Sequence, residues 1–176
     1  MKRFHDKGIY LLVSAFGATV MPTHQDPTAV ANALAEFTLN NHLDGVDIDY
    51  EDNGAMVTGT GQTWLITLTK QLRKRLPDKL IMHAPQAPYF SKLYAPKGGY
   101  LAVHEQVGSM IDLYLVQFYN QGSTTYDTYK SLFVQSNGWS TGTSVKEIIS
   151  KGVPSEKLVV GKPVLPRDVV NTGWVN

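Results

Sequence analysis

Five short, nearly continuous apolar runs recur along this chain, separated by segments of helical periodicity, and that alternation limits its fold more than any other feature. Residues 8–17 (GIYLLVSAFG) are apolar and β-branched between glycines, which predicts a strand. Residues 26–40 open with Asp26-Pro27, a good helix entry, and continue with Val30, Leu34 and Phe37 at helical spacing. A second strand is expected over 43–51. The helix expected over 61–76 places Trp64, Leu65, Leu68 and Leu72 on one side and Lys70, Arg73 and Lys74 on the other. Strands over 80–86, 112–120 and 157–164 follow, with helices around 101–110, 126–135 and 144–151 between them. Strands that are apolar throughout, rather than alternating, belong to a parallel sheet covered by helices. The fold class is therefore α/β. An open doubly wound sheet and a (β/α)8 barrel both satisfy the pattern.

The chain has 176 residues, which suits a single domain over 1–176 with a sizeable core. Its net charge of +1 supplies neither the basic surface that nucleic acid requires nor an acidic tail. No apolar run approaches the roughly 18 residues of a membrane span, so no membrane partner is expected. With no cysteine, thiol catalysis, disulfides and thiolate metal sites all drop out. No Asn-X-Ser/Thr site and no signal-peptide pattern at Met1 is present.

The most informative stretch is Leu43-Asp44-Gly45-Val46-Asp47-Ile48-Asp49-Tyr50-Glu51. Side chains alternate along a strand, so Asp47, Asp49 and Glu51 share one face while Val46, Ile48 and Tyr50 share the other. Successive carboxyls then lie roughly 7 Å apart along the backbone. On a strand buried on both sides such a row is expensive. One purpose is acid catalysis. Crowded carboxylates raise one another's pKa, and a terminal Glu held protonated near neutral pH can donate to a glycosidic oxygen. A Mg²⁺ or Ca²⁺ site and an exposed edge strand with solvated acids are the competing readings.

The run from Asp44 to Glu51 resembles the DGxDxDxE signature of glycoside hydrolase family 18, the chitinases and related endo-N-acetylglucosaminidases. Three further segments agree in order. Ser14-Ala15-Phe16-Gly17 resembles the SxGG-like end of the family's third barrel strand. Ala84-Pro85-Gln86-Ala87-Pro88 resembles the APQxP end of the fifth, and Gln117-Phe118-Tyr119-Asn120 the QFYN end of the sixth, as in plant-type chitinases. The resemblance covers residues 2–164 and implies a (β/α)8 barrel with its site at the C-terminal ends of the strands. It implies that Glu51 is the general acid/base, that Asp49 orients the substrate's acetamido group, that Asp47 supports Asp49, and that Tyr119 holds the acetamido group from the far side. The implied substrate is chitin or another oligomer of N-acetylglucosamine, cleaved with retention by substrate assistance and with no metal or other cofactor. Gln86, Gln117, Asn120, Gly17 and Tyr89 are implied substrate contacts; Tyr89, Phe90 and Tyr94 follow a strand end and suit either sugar stacking or loop packing. Trp64 and the histidines, His83 among them, read as core or surface residues.

The matched segments correspond to strands three to seven of the family barrel, leaving one, two and eight without a counterpart. The barrel is thus expected to be partial, with Trp174 as the remaining candidate for the family's aromatic floor. Open edges predict coverage by a second chain, through dimerisation or domain exchange. The alternative function is a non-enzymatic, lectin-like binder of N-acetylglucosamine oligomers. The resemblance implies an extracellular setting.

Overall fold

The computed structural model describes residues 2–122 and 124–169; Trp174 lies outside them. After a short helix α1 (Lys2–His5), the chain runs β1 (Leu12–Phe16), α2 (Pro27–Asn40), β2 (Gly45–Asp49), α3 (Asn53–Thr58), α4 (Thr60–Arg75) and β3 (Leu80–His83). It continues with α5 (Gly99–Val107), β4 (Leu113–Gln117), a π-helical turn (Lys130–Val134), α6 (Val145–Ser150) and β5 (Leu158–Gly161). Every expected strand forms, each shorter than its apolar run. Hydrogen-bond ladders stop where the strand ends turn into loops. The short helix α3, not anticipated, is capped by Asp52, whose side chain accepts from the Ala55 amide at 3.1 Å. The helix expected over 126–135 contracts to the π-helical turn.

All five strands are parallel and their order in the sheet is sequential, β1-β2-β3-β4-β5. That order decides the architecture. A doubly wound sheet reverses direction partway and puts helices on both faces, whereas right-handed crossovers in one direction put every helix on the same side. The helix-facing side chains Val46, Ile48, Ile81, His83, Tyr114 and Val116 are all fully buried. Their alternates Asp47, Asp49, Met82, Leu113 and Leu115 are half-buried and Ser14 is exposed. The sheet therefore has one dry convex face and one open concave face, as an arc of a (β/α) barrel does.

Helix α4 packs on the dry face through Trp64, Leu65, Leu68, Thr69 and Leu72. Small residues Ala31 and Ala35 on α2 are fully buried in the same core. Trp64 sits edge-on to Phe16 at 5.7 Å and donates Nε1–H to Gln25 O at 2.8 Å, a core role as expected. His83 is sealed between Thr69 and the Tyr100 hydroxyl. Arg73 departs from its expected place on the polar face of α4. Its guanidinium wraps the helix end and donates to the carbonyls of Leu76, Pro77, Lys79 and Met110 and to Asp112 Oδ2 at 2.7 Å. The planar fork thus pins α4 to the starts of β3 and β4.

Two residues of the acid segment serve the fold alone. Asp44 Oδ2 accepts from the Leu11 amide at 2.7 Å and lies 2.9 Å from His5 Nε2, with the backbone bond the main cause of its lowered pKa. Gly45 faces β3 so closely that a methyl group there would collide with the Leu80 carbonyl. The glycine follows from strand spacing, since any side chain would push β3 away from β2.

Candidate active site

The acid row stands on the concave face at the C-terminal end of β2, as strand parity predicts. Asp47 and Asp49 line a cleft of about 330 Å³ together with Ala84, Leu115, Gln117, Tyr119 and Lys162. Its walls come from β2, β3, β4 and β5, so four separate strands converge on it.

Each acid has a dedicated neutral donor from a different strand. The Ser14 hydroxyl on β1 donates to Asp47 Oδ2 at 2.7 Å. Gln117, the last residue of β4, donates its amide to Asp49 Oδ1 at 2.8 Å and to the Ala84 carbonyl at 2.9 Å. Gln86, just past β3, donates to Glu51 Oε2 at 2.7 Å. The two glutamines are bridge partners in neighbouring strands, so their amides present side by side to successive acids. Both glutamines, expected near substrate, hydrogen-bond to carboxyls of the row.

Burial raises the pKa of Asp47, only partly offset by Ser14, and its Oδ1 is buried with no hydrogen-bond partner among the described residues. Asp49 is pushed up to about 7, chiefly by burial, then by the charges of Glu51 and Asp47 and a hydrogen bond to Glu51, against Gln117. Asp49, in the middle of the row, also shares a hydrogen bond with Glu51 at its end. Tyr119 lines the same cleft; burial and then Asp49, Glu51 and Asp47 raise its hydroxyl pKa, which keeps it a donor. Among the described residues, no three His, Cys, Asp or Glu side chains are grouped to hold a metal ion.

Two turns frame the row. Phe16 and Gly17 at the end of β1 have φ of 87° and 86°, and the Gly17 amide donates to Asp49 O at 2.8 Å. Gly17 therefore fixes the backbone of the acid row. Phe16 stands where the SxGG-like pattern has its first glycine, in a conformation uncommon for a bulky residue. Its ring is held against Trp64. Asn120 is exposed at φ 59°, beyond the end of β4, so strand parity does not govern it.

Tyr89 corrects an expectation. A candidate sugar contact by its place after a strand end, it is fully buried, its ring 6.1 Å from Tyr100 and nearly parallel to it. Its hydroxyl donates to Asn53 Oδ1 at 2.9 Å, so it braces the segment after Glu51 from below. A proline-led 3₁₀ turn, Ala87–Phe90, turns both Tyr89 and Phe90 into the core. Tyr94 shares the Asn53 acceptor at 2.6 Å but is only half-buried. It pairs with Trp139 at 5.8 Å between centroids. Trp139, which belongs to none of the matched motifs, is 47% exposed and donates Nε1–H to Gln121 O at 3.1 Å. The one signal for it in the sequence is a lone Trp in a polar, Gly-rich stretch.

The family model for glycosyl hydrolases family 18 matches residues 7–173. A family 18 chitinase from Pseudoalteromonas aurantia superposes with a TM-score of 0.73 at 35% identity, over 94% of this chain and 60% of its own. A class V chitinase from Cycas revoluta, solved with (GlcNAc)3, has a TM-score of 0.62 at 14% identity, over 88% of this chain and 49% of its own. Human YKL-39, a pseudo-chitinase with retained chitooligosaccharide binding, has a TM-score of 0.60 at 16% identity, over 88% of this chain and 48% of its own. The latter two share the fold. The chain spans between about half and three-fifths of the length of these structures. With the acid row, its donors and the matched model agreeing over nearly all its length, this chain belongs to glycosyl hydrolase family 18.

Proposed function

We propose that residues 1–176 form a single, partial catalytic unit that hydrolyses β-1,4 linkages between N-acetylglucosamine units of chitin by a substrate-assisted, retaining mechanism. The observation that carries this reading is the row Asp47–Asp49–Glu51, with its middle carboxyl raised to about 7 and a hydroxyl, Tyr119, on the same cleft. Glu51 gives its proton to the glycosidic oxygen as the bond from C1 to that oxygen breaks. The acetamido carbonyl oxygen of the same sugar bonds to C1 and forms an oxazolinium ion, taking the place of a second enzyme carboxylate. Asp49 accepts from the acetamido N–H and faces the positive charge that develops there, while Asp47 takes up part of the row's proton. Tyr119 donates to the acetamido oxygen and orients it for attack. Water then adds to C1 from the side that the leaving group vacated, Glu51 takes its proton, and the ring opens with net retention.

Removal of the proton donor is the test. Hydrolysis of a fluorogenic N-acetyl-chitooligosaccharide by the wild-type chain should fall by at least about a thousandfold in Glu51→Gln. Equal turnover in both would refute the role of Glu51. Saturable oligosaccharide binding with no turnover in either would assign the lectin-like alternative. Chitin is a polymer too large to cross a membrane, which supports an extracellular setting for this reading. β1 and β5 each have one unpaired edge among the described residues, and exposed Ile9, Tyr10 and Phe37 lie on the β1 side, which supports coverage by a second chain.

A further inference from the structure

Lys162 immediately follows β5 and lines the acid cleft with Asp47, Asp49 and Tyr119. Its Nζ donates to the Phe118 carbonyl at 2.8 Å and to the Tyr126 carbonyl at 2.7 Å. Those carbonyls bracket the segment after β4 that carries Tyr119, of which residues 118–122 and 124–126 are described. The Phe118 and Tyr126 rings also meet edge-to-face at 5.0 Å, and the Phe118 amide donates to Gly161 O at 3.2 Å. A single ammonium thus closes the neck of the loop, on the backbone segment next to the Tyr119 side chain.

The loop needs an external tie. Asn120, Gly122 and Tyr126 all have positive φ, at 59°, 102° and 59°, and two of the three are not glycine. Such backbone persists where surrounding contacts over-determine it. Lys162 is itself an expensive way to supply them. Burial pushes its ammonium down to about 8, with Asp127 acting in the opposite direction. Asp47, Asp49 and Tyr119 line the same cleft as Lys162, Asp127 at the exit of the loop acts on its charge, and from Tyr126 it meets the backbone carbonyl. A half-buried cation at this place is poorly explained by stability, since an apolar side chain would fill the space without desolvating a charge.

We propose that Lys162 is a positioning residue: it clasps both ends of the 118–126 loop and so holds Tyr119 against the acid row. The consequence for catalysis rests on the hydrolase reading above; the clasp itself does not. Loosening the loop misplaces a group that acts mainly on the reacting acetamido oxygen, so kcat suffers more than KM.

The full chain is compared with Lys162→Met and Lys162→Arg by amide hydrogen exchange and by steady-state kinetics on a fluorogenic chitooligosaccharide. In Lys162→Met, exchange across 118–126 should rise about tenfold or more while β2 and α4 keep their protection. kcat should fall about tenfold with KM changed less than about threefold. Arg spans both carbonyls with its fork, so Lys162→Arg should restore loop protection and most of kcat. Unchanged loop exchange in Lys162→Met overturns the proposal. So does loss of protection throughout β2 and α4, which would make Lys162 a general structural residue. If that variant does not fold, Lys162→Arg still decides: loop exchange and kcat unlike wild type refute the clasp. Should the wild type not turn over substrate, the hydrolase reading fails while the exchange measurements still test the clasp.

Discussion

Replacing Asp49 by Asn should stabilise this protein at neutral and alkaline pH and leave it nearly unchanged in mild acid. In the folded chain the Asp49 pKa rises from an ordinary 3.8 to about 7. Between those values the native state holds a proton that the unfolded chain has released, so stability falls as pH rises. The favourable contribution is fully present below the unfolded pKa and is lost as pH passes the folded one. A rise of this size corresponds to about 4 kcal/mol if nothing screens the group. Asp49 is only half-buried, and water reaching it reduces this to about 1–2 kcal/mol. Asn is nearly isosteric and its carbonyl oxygen still accepts from Gln117, so the substitution removes the charge while keeping the contact. Urea denaturation of both proteins across mildly acidic to mildly alkaline buffers reads the difference. Asp49→Asn should gain about 1–2 kcal/mol at about pH 8 and lie within about 0.5 kcal/mol of wild type at about pH 4. The row titrates as a coupled unit, so the comparison reports the combined change. A variant less stable than wild type on the alkaline side, or a gap that does not vary with pH, would refute the reasoning.

Three further outcomes are expected. Gly45→Ala should cost about 3 kcal/mol or more in denaturant titrations, because the added methyl meets the Leu80 carbonyl and separates the two strands. Trp139→Ala should raise KM for chitooligosaccharides about tenfold with kcat little changed, if the Tyr94–Trp139 pair receives a sugar face; an unchanged KM would leave that pair as loop packing. Light scattering across a dilution series should show association through the β1 and β5 edges that are unpaired among the described residues, and a monomer at every concentration would count against it.

Strand parity made the acid row legible from the sequence, because a two-residue period is a local property of the backbone and needs no tertiary information. The same locality exposed the buried face of α4 and the cap of α2, where Asp26 accepts from Thr28 and Ala29. The neutral donors to the acids come from elsewhere in the chain. Ser14 lies 33 residues before Asp47, Gln86 35 residues after Glu51, and Gln117 68 residues after Asp49. Only the packed sheet brings them together. Strand composition could not choose between barrel and doubly wound sheet either, since crossovers in either direction bury the same apolar strands; the sequential order chose. Tyr89, placed after a strand end, suited sugar stacking or loop packing equally in the sequence; the turn Ala87–Phe90 carries its ring inward, against Tyr100 and with its hydroxyl on Asn53. Arg73 carried an ordinary polar-face signal, and Lys162 stood inside an expected strand with no signal of its own. Both bond to carbonyls that meet them across the fold, and carbonyls leave no mark on a sequence.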